Sequence, residues 1–248
     1  MKTRFLLFLL ALTIGSSLTA QPYRVDDPYA VEMGWCAPED DDYDRGRRRP
    51  HIQAALILDA SGSMDGLLEQ AKAQLWYMAN GMLEAHEGHR PPVLEFALLE
   101  YGKSSLGQRR DYMRVIVPFT TDLDWISEEL FRMRTGGRYE YPGAAINLAL
   151  HDLNWTRHPD DLRMVYIAGN EKINQGPVPM RQALNWAHEH DIYTQFIFCG
   201  PHRNGFQLGW ADAAQYAGTE YLSISHERPV YYEHNAGSRL LHKECRLH

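Results

Sequence analysis

The chain is poor in cysteine. Only Cys36, Cys199 and Cys245 occur in 248 residues, too few for a disulfide-stapled scaffold, so stability has to come from a hydrophobic core. Beyond the first twenty residues no apolar run is long enough to cross a bilayer. Basic residues are outnumbered: 25 Lys and Arg stand against 32 Asp and Glu. An acidic chain is a poor ligand for nucleic acid or for anionic membrane surfaces. The zinc-protease helix pair is missing as well, because His86-Glu87-Gly88-His89 is one residue short of His-Glu-x-x-His.

What is present begins with a leader. Lys2 and Arg4 precede the apolar run Phe5 to Ile14, and Ser16 to Ala20 are small or mildly polar. This three-part pattern predicts a signal peptide over 1–20, cleaved after Ala20, and a periplasmic or secreted product. The apolar run is too short for a span, and no cysteine follows it to accept a lipid. Two of the 25 basic residues lie in the leader, which leaves 23 and a mature charge of −9. Residues 21–50 mix Pro, Asp, Arg and Tyr without periodicity and read as an irregular arm. Within it Arg45, Arg47, Arg48 and Arg49 sit beside the acidic run Glu39 to Asp42, which reads as a solvated linker. Residues 226–248 form a patternless tail, leaving one domain over 51–225.

The domain alternates strands and helices. Strands are expected at Gln53–Leu58, Val93–Tyr101, Arg114–Phe119, Leu162–Ala168, Ile192–Cys199 and Glu220–Ile224. The third is expected to be antiparallel, because Gly102–Arg110 is too short for a crossover helix. Helices are expected at Leu67–Met82, Asp122–Met133, Ala144–Leu153 behind Pro142, Met180–Glu189 behind Pro179, and Phe206–Tyr216. The pattern predicts a three-layer α/β/α doubly wound fold: a mostly parallel six-stranded sheet with one antiparallel edge strand.

The chemistry is concentrated where the first strand ends. Ile57-Leu58-Asp59-Ala60-Ser61-Gly62-Ser63-Met64 places a carboxylate and two hydroxyls at a strand's carboxyl end, where open α/β sheets bind ligands. Hard oxygen donors of this kind suit a divalent cation, Mg2+ or Ca2+. The same groups could instead cap the following helix. A hydrolase serine is a third possibility for Ser61, but Gly-x-Ser-x-Gly is absent at this turn and no motif places any of the 12 histidines as a base. Catalysis is not expected.

Asp59-x-Ser61-x-Ser63, the element order and the loop positions resemble the von Willebrand factor type A (VWA) domain family, over roughly residues 51–225. The resemblance implies a metal-ion-dependent adhesion site in which Ser61 and Ser63 bind the cation directly and Asp59 binds directly or through water. It also implies a threonine from a second loop, an aspartate from a third, and a partner's carboxylate to complete the octahedron. The chain departs from that pattern at both later loops. Gly136-Gly137-Arg138-Tyr139-Glu140-Tyr141-Pro142-Gly143 puts Glu140 in the threonine's place, and Ile167-Ala168-Gly169-Asn170-Glu171 offers Asn170 or Glu171. Both segments, with Asn154-Trp155 and Gly209-Trp210, are similar to a subgroup of exported bacterial VWA domain proteins. A glutamate in place of threonine adds charge. Asp59 and Glu140 together balance a divalent ion, so an incoming acidic ligand gains less from it. The metal is then either structural or a recruiter of neutral or basic partners, and a larger set of oxygens favours calcium over magnesium.

The function expected is metal-assisted binding of a protein or other extracytoplasmic partner, with Arg138, Tyr139 and Tyr141 as candidate partner contacts. The alternative is a metal-free structural module of an envelope assembly. Of the other aromatics, most of Trp76, Trp125, Trp155, Trp186 and Trp210 are expected to be core or half-buried packing residues, with a place near the metal edge of the sheet as the alternative for Trp210, and His188 and His190 are expected to sit at a helix C-terminus. Cys199 ends a strand and is expected to be a buried thiol. The two tail cysteines are either bridged to each other or free. Bridging predicts a mass gain of two hydrogens on reduction, mapped to the Cys36 and Cys245 peptides.

Overall fold

The computed structural model describes residues 48–84 and 92–224. The leader, most of the N-terminal arm, the tail, Cys36, Cys245 and the His86–His89 segment lie outside these residues. Among the described residues six strands make one sheet: β1 (His51–Asp59), β2 (Val93–Tyr101), β3 (Met113–Thr120), β4 (Leu162–Gly169), β5 (Ile192–Cys199) and β6 (Tyr221–Ile224). Their spatial order is β3-β2-β1-β4-β5-β6. Every pairing is parallel except that of β2 with β3. This is the expected mostly parallel sheet, with its antiparallel strand at one edge.

Among the described residues six helices accompany the strands: α1 (Leu68–Glu84), α2 (Leu123–Arg132), α3 (Pro142–Asp152), α4 (Met180–Glu189), α5 (His202–Gln207) and α6 (Trp210–Ala217). The period-two alternation of β1 sorts its side chains between two cores. Ala54, Leu56 and Leu58 pack with Leu68, Leu75, Ile126 and Leu130 of α1 and α2. Ala55 and Ile57 pack with Ala145, Ile146, Ala183, Leu184 and Trp210 of α3, α4 and α6. Strand β1 is thus covered on both faces and has to be apolar along almost its whole length. Helix α2 is opened by Asp122, whose carboxylate accepts from the Trp125 N–H at 3.0 Å.

Two expectations need correction. The single helix read over Phe206–Tyr216 is two helices, α5 and α6, because Gly209 adopts φ = 86° and breaks the run. The arginine-rich segment is not wholly a solvated linker either. Arg48 makes a two-pronged pair with Asp161, with both N–O distances at 2.5 Å. Asp161 also accepts from the His51 N–H at 2.8 Å and from the Thr156 hydroxyl at 2.5 Å. Burial alone would raise this carboxyl, but Arg48, the His51 N–H and the Thr156 hydroxyl hold it well below the usual carboxylate range. The cluster fastens the start of β1 to the turn before β4.

Asp161→Ala should therefore cost about 1–3 kcal/mol, since it strands the His51 N–H and one face of the Arg48 guanidinium. Urea denaturation at neutral pH checks this. The stabilisation sits above the ordinary carboxylate range and should fade as pH falls below it.

Candidate metal centre

The sheet order makes β1 the strand at which the winding reverses, with β2 on one side and β4 on the other. Asp59, its last residue, therefore lies at the topological switch point. Three loops meet over it, and backbone hydrogen bonds fix their approach. Ala60 N–H donates to Tyr101 O at 2.8 Å, Gly136 N–H to Ala60 O at 2.8 Å, and Gly62 N–H to Gly137 O at 2.9 Å. Gly102 forms a bridge with Tyr139. It has φ = 86°, and a Cβ there would stand 2.6 Å from Asp59 Oδ1. Only glycine tolerates both the left-handed backbone and that approach.

The side chains gather as follows. Asp59 is fully buried. Its Oδ1 accepts from the Ser61 N–H at 2.8 Å, while its Oδ2 is buried without a hydrogen-bond partner. Ser61 Oγ and Ser63 Oγ are 2.9 Å apart. Ser63 Oγ donates to Asn170 Oδ1 at 2.9 Å, and Asn170 Nδ2 donates to Ser63 O at 2.8 Å. Glu140 is buried beside Ser61 and feels Glu171. The three loops thus bring Asp59, Ser61, Ser63, Glu140 and Asn170 together, with Glu171 close enough to act electrostatically on both acids.

Helix capping does not explain the motif. Helix α1 starts only at Leu68, and the 3₁₀ turn Gly62–Met64 between has no side-chain cap.

The electrostatics are unfavourable as they stand. Burial pushes the Asp59 carboxyl up from 3.8 to about 7, its bonds to Ser61 offset part of that, and Glu140 and Glu171 push it further. Burial also raises Glu140, again with a contribution from Glu171. Among the described residues no lysine or arginine pairs with either acid. A buried acceptor with no partner, beside a second carboxylate, two hydroxyls and an amide oxygen, is a donor set that fits a hard divalent cation. Among the described residues no three His, Cys, Asp or Glu side chains form a metal cluster; the set here depends on serine.

The candidate partner residues lie on the second loop. Arg138 and Tyr139 are exposed, and Arg138 forms no ion pair with Glu140. Tyr141 lies against the Gly176 backbone and meets Tyr112 edge-on at 5.9 Å. The sequence reading missed Gly102, which has no side chain to notice, and Tyr112, which is remote in sequence. It also treated Trp210 mainly as packing. Trp210 is fully buried, and its indole N–H donates to Glu171 O at 2.7 Å, so it holds the third loop in place. Trp125, 40% exposed, is the exception among tryptophans that mostly pack as expected. His190 caps the end of α4 and stacks on Trp186, with ring centroids 3.6 Å apart. Cys199 is a buried free thiol, as expected.

No family model and no curated protein matches the sequence. Solved structures do resemble the fold. BatB from Bacteroides thetaiotaomicron, a conserved hypothetical protein, is 14% identical, with 78% of this chain and 97% of that chain covered and a TM-score of 0.52. Proximal thread matrix protein 1 from the mussel byssus, in a form with a zinc-occupied MIDAS motif, is 13% identical over 71% of this chain and 44% of that one, with a TM-score of 0.51. The pilus adhesin SpaC from Lactobacillus rhamnosus GG is 12% identical over 72% of this chain and 28% of that one, also with a TM-score of 0.51. The fold is VWA-like. At these identities the likeness is one of architecture, in which the Asp59 turn occupies the switch point.

The carboxyl shifts predict an inverted pH dependence in chelator. Asp59 holds a proton in the folded state that the unfolded chain releases between about pH 4 and 7. Stability should therefore fall as pH rises through that window, by up to roughly 4 kcal/mol, with Glu140 adding in the same sense. Asp59→Asn should flatten most of this slope and raise stability at pH 7 without cation. Urea midpoints measured in chelator across the window check both statements.

Proposed function

We propose that this chain is an exported binding module that takes a divalent cation at the loop edge and recruits an extracytoplasmic protein partner there. The observation that carries the reading is the unpartnered, buried Asp59 Oδ2 beside the Glu140 carboxylate. Asp59, Ser61, Ser63 and Glu140 would hold the ion, and Asn170 or Glu171 would face it from the third loop. Export is argued from the leader; among the described residues no helix is long and apolar enough to cross a membrane.

Glu140 sets this site apart from one that waits for a partner's acid. With two carboxylates supplied from within, the ion is neutralised before a partner arrives. The proposed cation is Ca2+ or Mg2+, and the zinc found in the mussel protein's motif adds a third candidate. The resemblance to an adhesin fold agrees with a role in binding. We assign no catalytic step: the Ser61 hydroxyl is engaged with Ser63, and among the described residues no histidine hydrogen-bonds to it.

One observation favours a second reading, a metal-free structural module. The Asn170 amide bonds both the hydroxyl and the carbonyl of Ser63, which closes the serine network without an ion. The two readings differ in chelator sensitivity, because an ion bound only by the native state raises its stability by mass action.

Equilibrium dialysis with calcium, magnesium and zinc tests the site. Wild type should take up one equivalent of at least one cation. Glu140→Ala should weaken that uptake by about tenfold or more, as expected when a charged ligand is removed. Equal affinity in the variant would remove Glu140 from the ligand set.

A further inference from the structure

Beside the buried acids the surface carries exposed basic residues. The β2–β3 connection and the second site loop are tied together by Lys103 N–H donating to Tyr112 O at 3.3 Å and Ser104 N–H donating to Gly136 O at 3.2 Å. Across this seam the Tyr112 and Tyr139 rings stack with centroids 4.4 Å apart. Tyr139 is 41% exposed. Arg109 and Arg110 precede Tyr112, and Arg138 precedes Tyr139; all three are exposed, and among the described residues none makes an ion pair. Their basic neighbours are engaged differently. Arg114 and Lys103 are bound to Glu100 at 2.6 and 3.3 Å, and Arg134 donates to the carbonyls of Phe131 and Met133.

The backbone under this strip is strained. Asp111 and Tyr112 adopt φ = 47° and 60°, which is unusual for a bulky side chain and concentrates at functional sites. The conformation brings the Tyr112 ring against Tyr139. In a chain with a formal charge of −7, unpaired arginines flanking stacked tyrosines are not an average surface. Arginine matches carboxylates through a planar fork of N–H groups. Tyrosine supplies large contact area at small entropic cost, which is why it is enriched at interfaces.

We propose that Arg109, Arg110 and Arg138, around the Tyr112–Tyr139 stack, dock an acidic segment of the partner protein beside the cation site and not on it. This deepens the function proposed above, since it rests on the same loop edge being the partner face, but it does not require the ion. The strip is short and carries Asp111 in its middle, which suits a mixed polypeptide better than a uniformly charged polysaccharide. The assignment also resolves a conflict in the acidic pocket. Glu140 makes the cation a poor receptor for carboxylates, so a partner's acids need cations elsewhere.

The test is fluorescence anisotropy with a labelled Glu-rich peptide, a Lys-rich control peptide and dextran sulfate, at low and near-physiological salt. Wild type should bind the Glu-rich peptide in preference to both others, with affinity falling as salt rises. The triple variant Arg109→Ser, Arg110→Ser, Arg138→Ser should bind it about tenfold more weakly or worse. Tyr112→Gly relieves the left-handed strain, so it should keep its melting temperature while losing affinity. Chelator should leave peptide binding unchanged. Equal binding by the triple variant, no binding by wild type, or tighter binding of dextran sulfate overturns the proposal. Loss of peptide binding in chelator also overturns it, and would move the acid onto the cation. If instead no cation binds at all and the strip still binds the peptide, the metal reading alone fails.

Discussion

A buried carboxylate needs either a counter-charge or a proton, and the loop edge of this domain is organised by one that has neither a lysine nor an arginine. Four carboxyl groups are buried among the described residues: Asp59, Glu100, Glu140 and Asp161. Asp161 is gripped by Arg48 and by two further donors. Glu100 is held by Arg114 and Lys103. The chain therefore pairs its internal acids with cations where an acid serves packing. Asp59 and Glu140 break that habit and are placed in each other's field. Leaving both charged is expensive, and protonating one gives up hydrogen-bond acceptors that the loops have aimed inward. The proposed divalent ion would resolve the conflict with the oxygens already present.

The conflict cannot be relieved by letting the loops drift apart. Asp59 ends the central strand, flanked on both sides by parallel neighbours. The residues after it are bonded to the end of β2 and to the second loop. Gly102 lies so close to the carboxylate that a Cβ there would stand 2.6 Å from Asp59 Oδ1. A second brace comes from Lys72 on α1. This fully buried lysine donates to Met133 O at 2.9 Å and to Glu69 at 2.7 Å, fastening the segment that leads into Gly136 and Glu140. Trp210 fixes the third loop in the same way from the opposite core. A site assembled from three loops thus has the rigidity of the sheet end that carries them.

The sheet was legible because its causes are local. The strands β2 and β5 and the helix α4 fall where apolar runs and proline signals place them, and the antiparallel edge followed from the length of one connection. The Asp59 turn was legible for the same reason: its donors are three consecutive odd positions after an apolar run. What escaped depends on contacts between distant segments. Lys72 carries no sequence signal of burial, and its place is set by a hydrogen bond to a carbonyl 61 residues away. Arg48 reads as part of a charge run until Asp161 meets it. Tyr112 carries no motif, and its stacking on Tyr139 goes with a left-handed backbone that the sequence does not announce. The break at Gly209 was missed because the apolar residues on either side keep a helical spacing, while only the backbone dihedral reveals that the chain turns.

The second loop separates charge by depth. Glu140 is turned inward and buried, and Arg138, two residues earlier, is exposed. Had they paired, each would have cancelled the other, leaving a neutral loop with nothing to offer an ion or a partner. Kept apart, the glutamate presents negative charge to the interior beside Asp59, while the arginine presents positive charge to the surface. Under the proposed function the same short segment would serve two ligands of opposite sign without competition. A partner would then be selected by its acids at the rim and by neutral or basic groups over the ion. An acidic residue aimed straight at the metal would meet the combined field of Asp59, Glu140 and Glu171.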